Sequence, residues 1–198
     1  TFGFQLATGE VTCDQTKQEV SMSVTRILTG VCLLLLLGCT DRSLSPVTPD
    51  ALEIGTSKTI FAATNRSRHE DGTFGPERTD DYSLLELTVS IPPNHTPGTL
   101  EFSYAEPDPY TQFTMAARHR FEKTSDFDAR LQDELRLFPR NERDVIVFVH
   151  GFNSTQAETV FRAAQLTHDL ETPGATVIYS WPSLGSPLGY AYDADSVL

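Results

Sequence analysis

The sequence predicts an α/β fold in which antiparallel strands lead into a parallel strand–helix–strand unit. Residues 144–149 contain a continuous apolar run, Val-Ile-Val-Phe-Val, which is typical of a strand buried on both faces of a parallel sheet. A helix from Thr155 to about residue 170 follows, and then a second buried strand at 176–181. Two strands joined by a helix in this way pair in parallel through a right-handed crossover.

Local signals mark the ends of these elements. Thr155-Gln-Ala-Glu158 is a capping box that opens the helix, and Pro173-Gly174 interrupts the chain after it. Segment 82–91 alternates apolar and polar residues, which predicts a strand with one buried face. The remaining predicted elements are strands at 59–64, 99–104 and 112–120, a charged, glycine-containing loop at 66–81 and an amphipathic helix at 125–138.

Length, charge and cysteine content exclude several classes of protein. The 198 residues suffice for one domain with extensions. The formal net charge of −12 argues against a nucleic-acid partner, because a phosphate backbone would be repelled over most of the surface. All three cysteines, at positions 13, 32 and 39, lie in the first fifth of the chain. No disulfide framework or zinc site therefore organises the body of the protein.

The N-terminal part has the features of a targeting segment. The first methionine is Met22, and we expect residues 1–21 to be upstream read-through. Residues 22–38 comprise a short segment with Arg26 and an apolar run of twelve residues. A helix of that length rises about 18 Å, less than the roughly 30 Å of a bilayer core. A cleaved signal peptide fits this segment better than a membrane span.

The end of the apolar run, Leu36-Leu37-Gly38-Cys39, resembles a bacterial lipoprotein lipobox. The resemblance implies cleavage before Cys39 and attachment of lipid to its thiol and new amino group, which makes the bilayer a partner. Since Thr40 and not Asp follows, it also implies the periplasmic side of the outer membrane in a Gram-negative cell. The alternative is a signal peptide that happens to contain a cysteine. Residues 39–58, rich in Ser, Pro and Thr, are expected to form a tether.

One motif predicts chemistry. The strand at 144–149 runs directly into His150-Gly151-Phe152-Asn153, and the capped helix follows. Ligands of open parallel sheets bind beyond the carboxyl ends of the strands, where this loop is expected. A glycine there lets the backbone turn sharply, so that the next N–H groups can point into the crevice. Such donors suit the stabilisation of a negatively charged oxygen formed from an acyl carbonyl.

With the segments around it, this motif resembles a bacterial α/β-hydrolase family within the esterase/lipase superfamily. The resemblance implies that residues 59–198 are part of a hydrolase domain, that the Phe152 N–H is an oxyanion donor, and that His150 braces the loop formed with Gly151 and Asn153. The segments that carry it are Val-Phe-Val-His150-Gly-Phe-Asn153, Arg162-Ala-Ala-Gln-Leu-Thr-His-Asp169, Tyr179-Ser-Trp-Pro-Ser183 with Gly185, Gly189-Tyr-Ala-Tyr-Asp-Ala-Asp-Ser196, and more weakly Phe61-Ala-Ala-Thr-Asn-Arg66 and Ser90-Ile-Pro-Pro-Asn94.

The sequence departs from that family in its catalytic residues. An α/β-hydrolase carries its nucleophile in a G-x-S-x-G motif, followed by an acid and a histidine. None of the 198 residues is a serine in that motif, so the triad is expected beyond Leu198 and the 198 residues alone are expected to be inactive. We also expect residues 40–198 alone to expose an unpaired edge at the strand 176–181, which is an aggregation hazard.

Two functional hypotheses follow. The first is a lipid-anchored serine hydrolase that acts on a small acyl substrate (an ester, thioester or amide) without a metal or organic cofactor. The second is a non-catalytic, lipid-anchored binding module on the same fold, because fold alone does not fix function. Asp193 and Asp195 are two carboxylates without further ligands, so an interaction with a helix dipole is favoured over a metal site.

Overall fold

The computed structural model describes residues 42–196, which form a mixed five-stranded sheet with helices on both faces. The strands are β1 (Thr56–Arg68), β2 (Phe74–Ile91), β3 (Thr114–Phe121), β4 (Val145–Val149) and β5 (Ala175–Ser180), and the helices are α1 (Thr124–Arg136), α2 (Gln156–Asp169) and α3 (Tyr190–Ser196). The expected read-through segment 1–21, the signal peptide 22–38 and Cys39 lie outside the described residues. No helix within 42–196 is both long and apolar enough to cross a bilayer.

The strands are arranged in the order β3-β2-β1-β5-β4. β1, β2 and β3 pair antiparallel, whereas β1, β5 and β4 pair in parallel. Antiparallel strands thus lead into a parallel β4–α2–β5 unit, which confirms the predicted fold class. The predicted elements at 82–91, 112–120, 125–138 and 155–170 are also confirmed in type.

Two apolar clusters hold the helices on opposite faces of the sheet. α2 packs on the face that carries Ile60 and Ala62, and α1 packs on the face that carries Phe61. The Phe61 ring meets Phe127 of α1 edge to face, with 5.6 Å between the ring centroids. Neighbouring residues of β1 therefore contact different helices, as the alternation of a strand requires.

The prediction that β4 is buried on both faces is wrong. Val145, Val147 and Val149 are 44%, 63% and 54% exposed, whereas Phe148 packs towards α2. The physical reason is that β4 is the last strand of the described sheet, and α1, on the valine face, packs over β2, β3 and β5. The predicted free edge is therefore misplaced as well, since β5 lies between β1 and β4.

Two predictions for the first half of the chain are also wrong. Residues 66–81 were expected to form a loop, but β1 and β2 extend through most of them as a long hairpin with two register shifts. Charged side chains on this hairpin are mostly exposed, so the polar composition reflects an exposed ribbon. The strand expected at 99–104 is reduced to one isolated bridge, between Phe102 and Phe113.

The described part of the expected tether, 42–58, packs against the sheet instead of extending into solvent. Pro49–Glu53 forms a short 3-10 helix, and β1 already begins at Thr56. Ala51 is fully buried and its carbonyl accepts a hydrogen bond from Ser90 Oγ. Prolines and serines in this segment therefore shape a packed turn, which composition alone does not distinguish from a linker.

Helix α2 begins with the predicted capping box. The Glu158 N–H donates to Thr155 Oγ1 (3.3 Å), and the Thr155 N–H donates to Glu158 Oε2 (2.8 Å). We expect Thr155→Ala to lower the free energy of unfolding by about 1 kcal/mol. Urea unfolding of the full-length protein measures this, with Thr155→Ser as the control that keeps the hydroxyl. Equal unfolding midpoints for the Ala and Ser variants would show that the cap contributes nothing.

Candidate functional site

The site lies where the carboxyl ends of the three parallel strands meet. β4 leads into the β4–α2 loop (residues 150–155), and β5 leads into the β5–α3 loop (residues 181–186). β1 pairs with β5 as far as Thr64, opposite Ser180, and then continues to Arg66. Two loops and the extended end of β1 are thereby brought together at the edge where open parallel sheets bind ligands.

The backbone N–H groups of residues 151–155 in the β4–α2 loop fall into two sets. Those of Asn153, Ser154 and Thr155 donate to Asp193 Oδ2 (3.2 Å), Ser183 Oγ (3.2 Å) and Glu158 Oε2 (2.8 Å). For the N–H groups of Gly151 and Phe152, residues 42–196 provide no acceptor within hydrogen-bonding range. Two neighbouring N–H donors, of Gly151 and Phe152, are therefore unused among the described residues, whereas hydrogen bonds fix the three N–H groups that follow them.

The sharp turn of this loop is made by Asn153 and not by Gly151. Asn153 has φ of 59°, in the left-handed region that asparagine tolerates better than most residues. Gly151 lies outside that region, and a Cβ added to it would meet no atom within 4 Å. The expectation that Gly151 makes the sharp turn is therefore wrong, and the space next to this glycine is open.

His150 is buried between the two loops. Its ring stacks on Trp181, with 4.8 Å between the centroids, and the Trp181 Nε1–H donates to the His150 carbonyl (2.9 Å). The ring nitrogens face the carbonyl oxygens of Gly151 (2.8 Å) and Trp181 (3.1 Å). Burial, together with the positive charge of Arg66, lowers the pKa of His150 to about 4, despite the opposing effect of the two carbonyl contacts. The imidazole is therefore neutral near pH 7.

Arg66, at the end of β1, links the two loops through hydrogen bonds. It is 2% exposed, and its guanidinium donates to the carbonyl oxygens of Ser154 (2.7 Å) and Ser183 (2.9 Å). Further bonds reach Ser180 Oγ (3.0 Å) and the Gly75 carbonyl (3.2 Å). Burial lowers the pKa of Arg66 to about 10, so the side chain stays charged near pH 7. A buried cation held by backbone oxygens thus lies directly behind the β4–α2 loop.

Asp193 links the same two loops from the side of α3. The carboxylate is 3% exposed and accepts hydrogen bonds from the Leu184 N–H (2.6 Å) and Ser183 Oγ (2.5 Å), besides the bond from Asn153. Asp193 does lie in the first turn of a helix, as the expected dipole interaction requires, but its hydrogen bonds go to the loops. Asp195 is exposed, and the described residues contain no group of three side chains suited to hold a metal ion.

The N-terminal segment contacts both loops of the site through Arg42. Its guanidinium donates to Asn153 Oδ1 (2.9 Å) and forms an ion pair with Glu158 (2.5 Å). It also contacts the Gly185 carbonyl of the β5–α3 loop. Burial alone would raise the pKa of Glu158, but hydrogen bonds from Tyr104, the Thr155 N–H and Arg42 lower it. Arg42 thus connects the start of the described chain to both loops.

A cavity of about 320 Å³ opens beside the loop. Leu100, Phe102 and Phe148 form an apolar wall, and Arg42 and Arg162 lie among its polar lining residues. Its volume is at the lower end of the range of small-molecule sites, which are mostly apolar with a few placed polar groups. Of the two residues with an unused N–H group, Gly151 forms part of the lining and Phe152 does not, so the cavity borders the loop at Gly151.

Sequence reasoning identified the loop and missed the three charged residues that hold it. Arg66 lies in a segment of weaker similarity to the hydrolase family, and a charge two residues after the predicted strand 59–64 was the available signal for it. Asp193 was considered only for a metal or a helix dipole. Arg42 has no distinguishing local pattern, because Tyr104 lies 62 residues away and its partners in the two loops and α2 lie more than one hundred residues away.

Comparison with known proteins supports the hydrolase-like fold. Residues 123–198 match the model of a family described as alpha/beta hydrolase of unknown function (DUF900). This segment includes β4, the β4–α2 loop, β5 and α3. No curated protein and no solved structure matches the chain. The family match and the partly parallel sheet are together consistent with an α/β-hydrolase-like fold.

Proposed function

We propose that the chain is the N-terminal part of a lipid-anchored serine hydrolase that cleaves esters or related acyl compounds. The observation that carries the proposal is the pair of N–H groups at Gly151 and Phe152, which have no acceptor among residues 42–196, whereas the next three N–H groups of the loop are bonded. Preorganised backbone donors are the main electrostatic device of acyl-transfer enzymes, because they meet negative charge without reorganising. The family match over 123–198 supports the same class of chemistry.

In the proposed reaction a serine outside the 198 residues attacks the carbonyl carbon of the substrate while a histidine base takes its proton. The carbonyl oxygen becomes an oxyanion, which accepts a hydrogen bond from the Phe152 N–H, and a second donor comes from the residue after the nucleophile. Collapse of the tetrahedral intermediate expels the alcohol, thiol or amine, which takes the proton from the histidine. Water then releases the acid from the acyl-enzyme by the same steps.

The buried charged residues Arg66 and Asp193 support this role for the loop. Arg66 and Asp193 fix the backbone directly after Phe152 through Ser154 and Asn153, so the donor direction is set before substrate binds. The positive charge of Arg66 behind the loop also favours an oxyanion in front of it. His150, neutral and facing carbonyl oxygens, is suited to brace the loop and not to act as the base.

The proposed anchor has a direct test. We expect Cys39→Ala to move the protein from the membrane fraction to the soluble fraction, because a lipoprotein-type anchor of three acyl chains holds far more strongly than a single chain. Fractionation of cells that express the full-length protein measures the distribution. Cys32→Ala, in the predicted signal peptide, is the matched control and should stay with the membrane. Unchanged partitioning of Cys39→Ala would refute the anchor.

The second candidate is a lipid-anchored binding module without catalysis. It is favoured by the absence of a G-x-S-x-G serine from the 198 residues, and by the environment of Ser183, which is fully buried and bonded to Asp193. Sequencing the gene beyond the codon for Leu198 separates the candidates. A frame that continues into a G-x-S-x-G motif, an acid and a histidine supports the hydrolase. A stop codon at that point leaves the binding module.

A further inference from the structure

Exposed apolar side chains lie in the two loops of the candidate site and in the segment that follows the second loop. Phe152, Leu184, Leu188 and Tyr190 are 41%, 39%, 96% and 70% exposed, and we call these four residues the apolar rim. The rings of Phe152 and Tyr190 contact each other, with 5.5 Å between the centroids. All four residues follow the carboxyl ends of β4 and β5. A group of large apolar side chains in water indicates a surface that is covered in use.

The start of the described chain is attached to this same end of the molecule. Arg42 bonds to Asn153, which follows Phe152, and to the Gly185 carbonyl, which follows Leu184. The proposed lipid attachment site, Cys39, precedes Arg42 by three residues. Three residues of fully extended chain span at most about 11 Å. A lipid on Cys39 therefore limits how far the rim can be from the bilayer surface.

We propose that the apolar rim docks on the bilayer that holds the lipid of Cys39, so that the candidate site opens towards the membrane interface. This inference rests on the proposed anchor and deepens the proposed function. The substrate class becomes acyl compounds that reside in that interface. Leucine, phenylalanine and tyrosine are side chains that suit this region, because tyrosine keeps its hydroxyl in water while its ring is buried. The formal net charge of −11 that residues 39–198 carry opposes anionic lipid, so a zwitterionic surface is the expected partner.

The test measures the depth of two matched positions in the membrane. The full-length lipidated protein is reconstituted into phosphatidylcholine vesicles that contain brominated phosphatidylcholine, with Leu188→Trp or Leu170→Trp as the reporter. Leu170 is 69% exposed and caps α2 at the opposite end of the parallel strands, and the native Trp181 is common to both variants. We expect quenching of Leu188→Trp at least threefold stronger than that of Leu170→Trp, and similar behaviour for Tyr190→Trp, which serves if Leu188→Trp does not fold.

Equal quenching of the rim and control reporters would overturn the proposal. An unmodified Cys39 in mass spectrometry of the mature protein would overturn it as well, because the argument depends on that anchor. Fluorophosphonate labelling of the same preparation tests the hydrolase separately. If the protein is labelled but the rim reporter is not quenched, the hydrolase proposal stands and the docking surface is refuted. If the rim reporter is quenched but the protein is not labelled, the docking surface is supported and the hydrolase proposal is refuted.

Discussion

Arg66→Met is expected to lower the free energy of unfolding by about 3 to 5 kcal/mol, because it leaves several buried acceptors without a hydrogen-bond donor. The carbonyl oxygens of Gly75, Ser154 and Ser183 remain in place, and each loses its bond to the guanidinium. Removal of a hydrogen-bonding partner from a buried polar group costs more than the bond contributed, since the group can no longer reach water.

Arg66→Lys is the matched control for charge. An ammonium keeps the positive charge but cannot reproduce a planar fork that contacts both loops, so we expect it to recover only a minor part of the loss. Thermal unfolding of the full-length protein measures its stability. Hydrogen exchange of the backbone amides of residues 151–154 measures how often the loop opens to solvent. A Met variant with wild-type stability and unchanged exchange in this loop would show that Arg66 does not hold the site together.

Acid is expected to destabilise the protein by about 3 kcal/mol through His150 alone, in a window from pH 6.5 down to about pH 4. The sign follows from burial, because the ring is neutral in the folded state and takes up a proton in the unfolded state. The unfolded chain thus binds more protons in this window, and stability falls as the pH falls. The stabilising contribution is complete above pH 6.5 and is lost below the folded pKa.

Urea unfolding as a function of pH measures this effect. His150→Gln should reduce the pH dependence within the window by about 3 kcal/mol, whereas the exposed His119→Gln should retain it. The effect is separable from that of Asp169, whose pKa is lowered to about 2 because hydrogen bonds from Gly98, His95 and Gln165 outweigh its burial. That carboxylate contributes only below about pH 4. A His150→Gln variant with the wild-type pH profile would contradict the assignment.

Local sequence signals predicted the elements whose cause is local. The capping box at Thr155 and the apolar run of β4 identified a helix start and a strand correctly, since backbone and neighbouring side chains decide both. Burial is different, because it depends on what packs above a strand. The valines of β4 match those of a central strand, yet the described sheet ends there and leaves one face exposed.

The site shows the same division between local and distant causes. The His150-Gly151-Phe152 segment could be predicted as a loop with free donors, because a strand and a capped helix flank it. Arg66 and Asp193 could not be assigned to it, since their contacts join segments far apart in the chain. Such contacts depend on strand order, in which β1 pairs with β5, and the sequence alone left that order open.

Fluorophosphonate labelling of the protein expressed from its complete gene, followed by mass spectrometry of the labelled peptide, tests the proposed hydrolase directly. We expect a single labelled serine, within a G-x-S-x-G motif that lies outside the 198 residues. A folded, membrane-bound protein that takes up no label, or one labelled at a serine of the present sequence, would contradict the assignment of the β4–α2 loop as half of an oxyanion hole in a serine hydrolase.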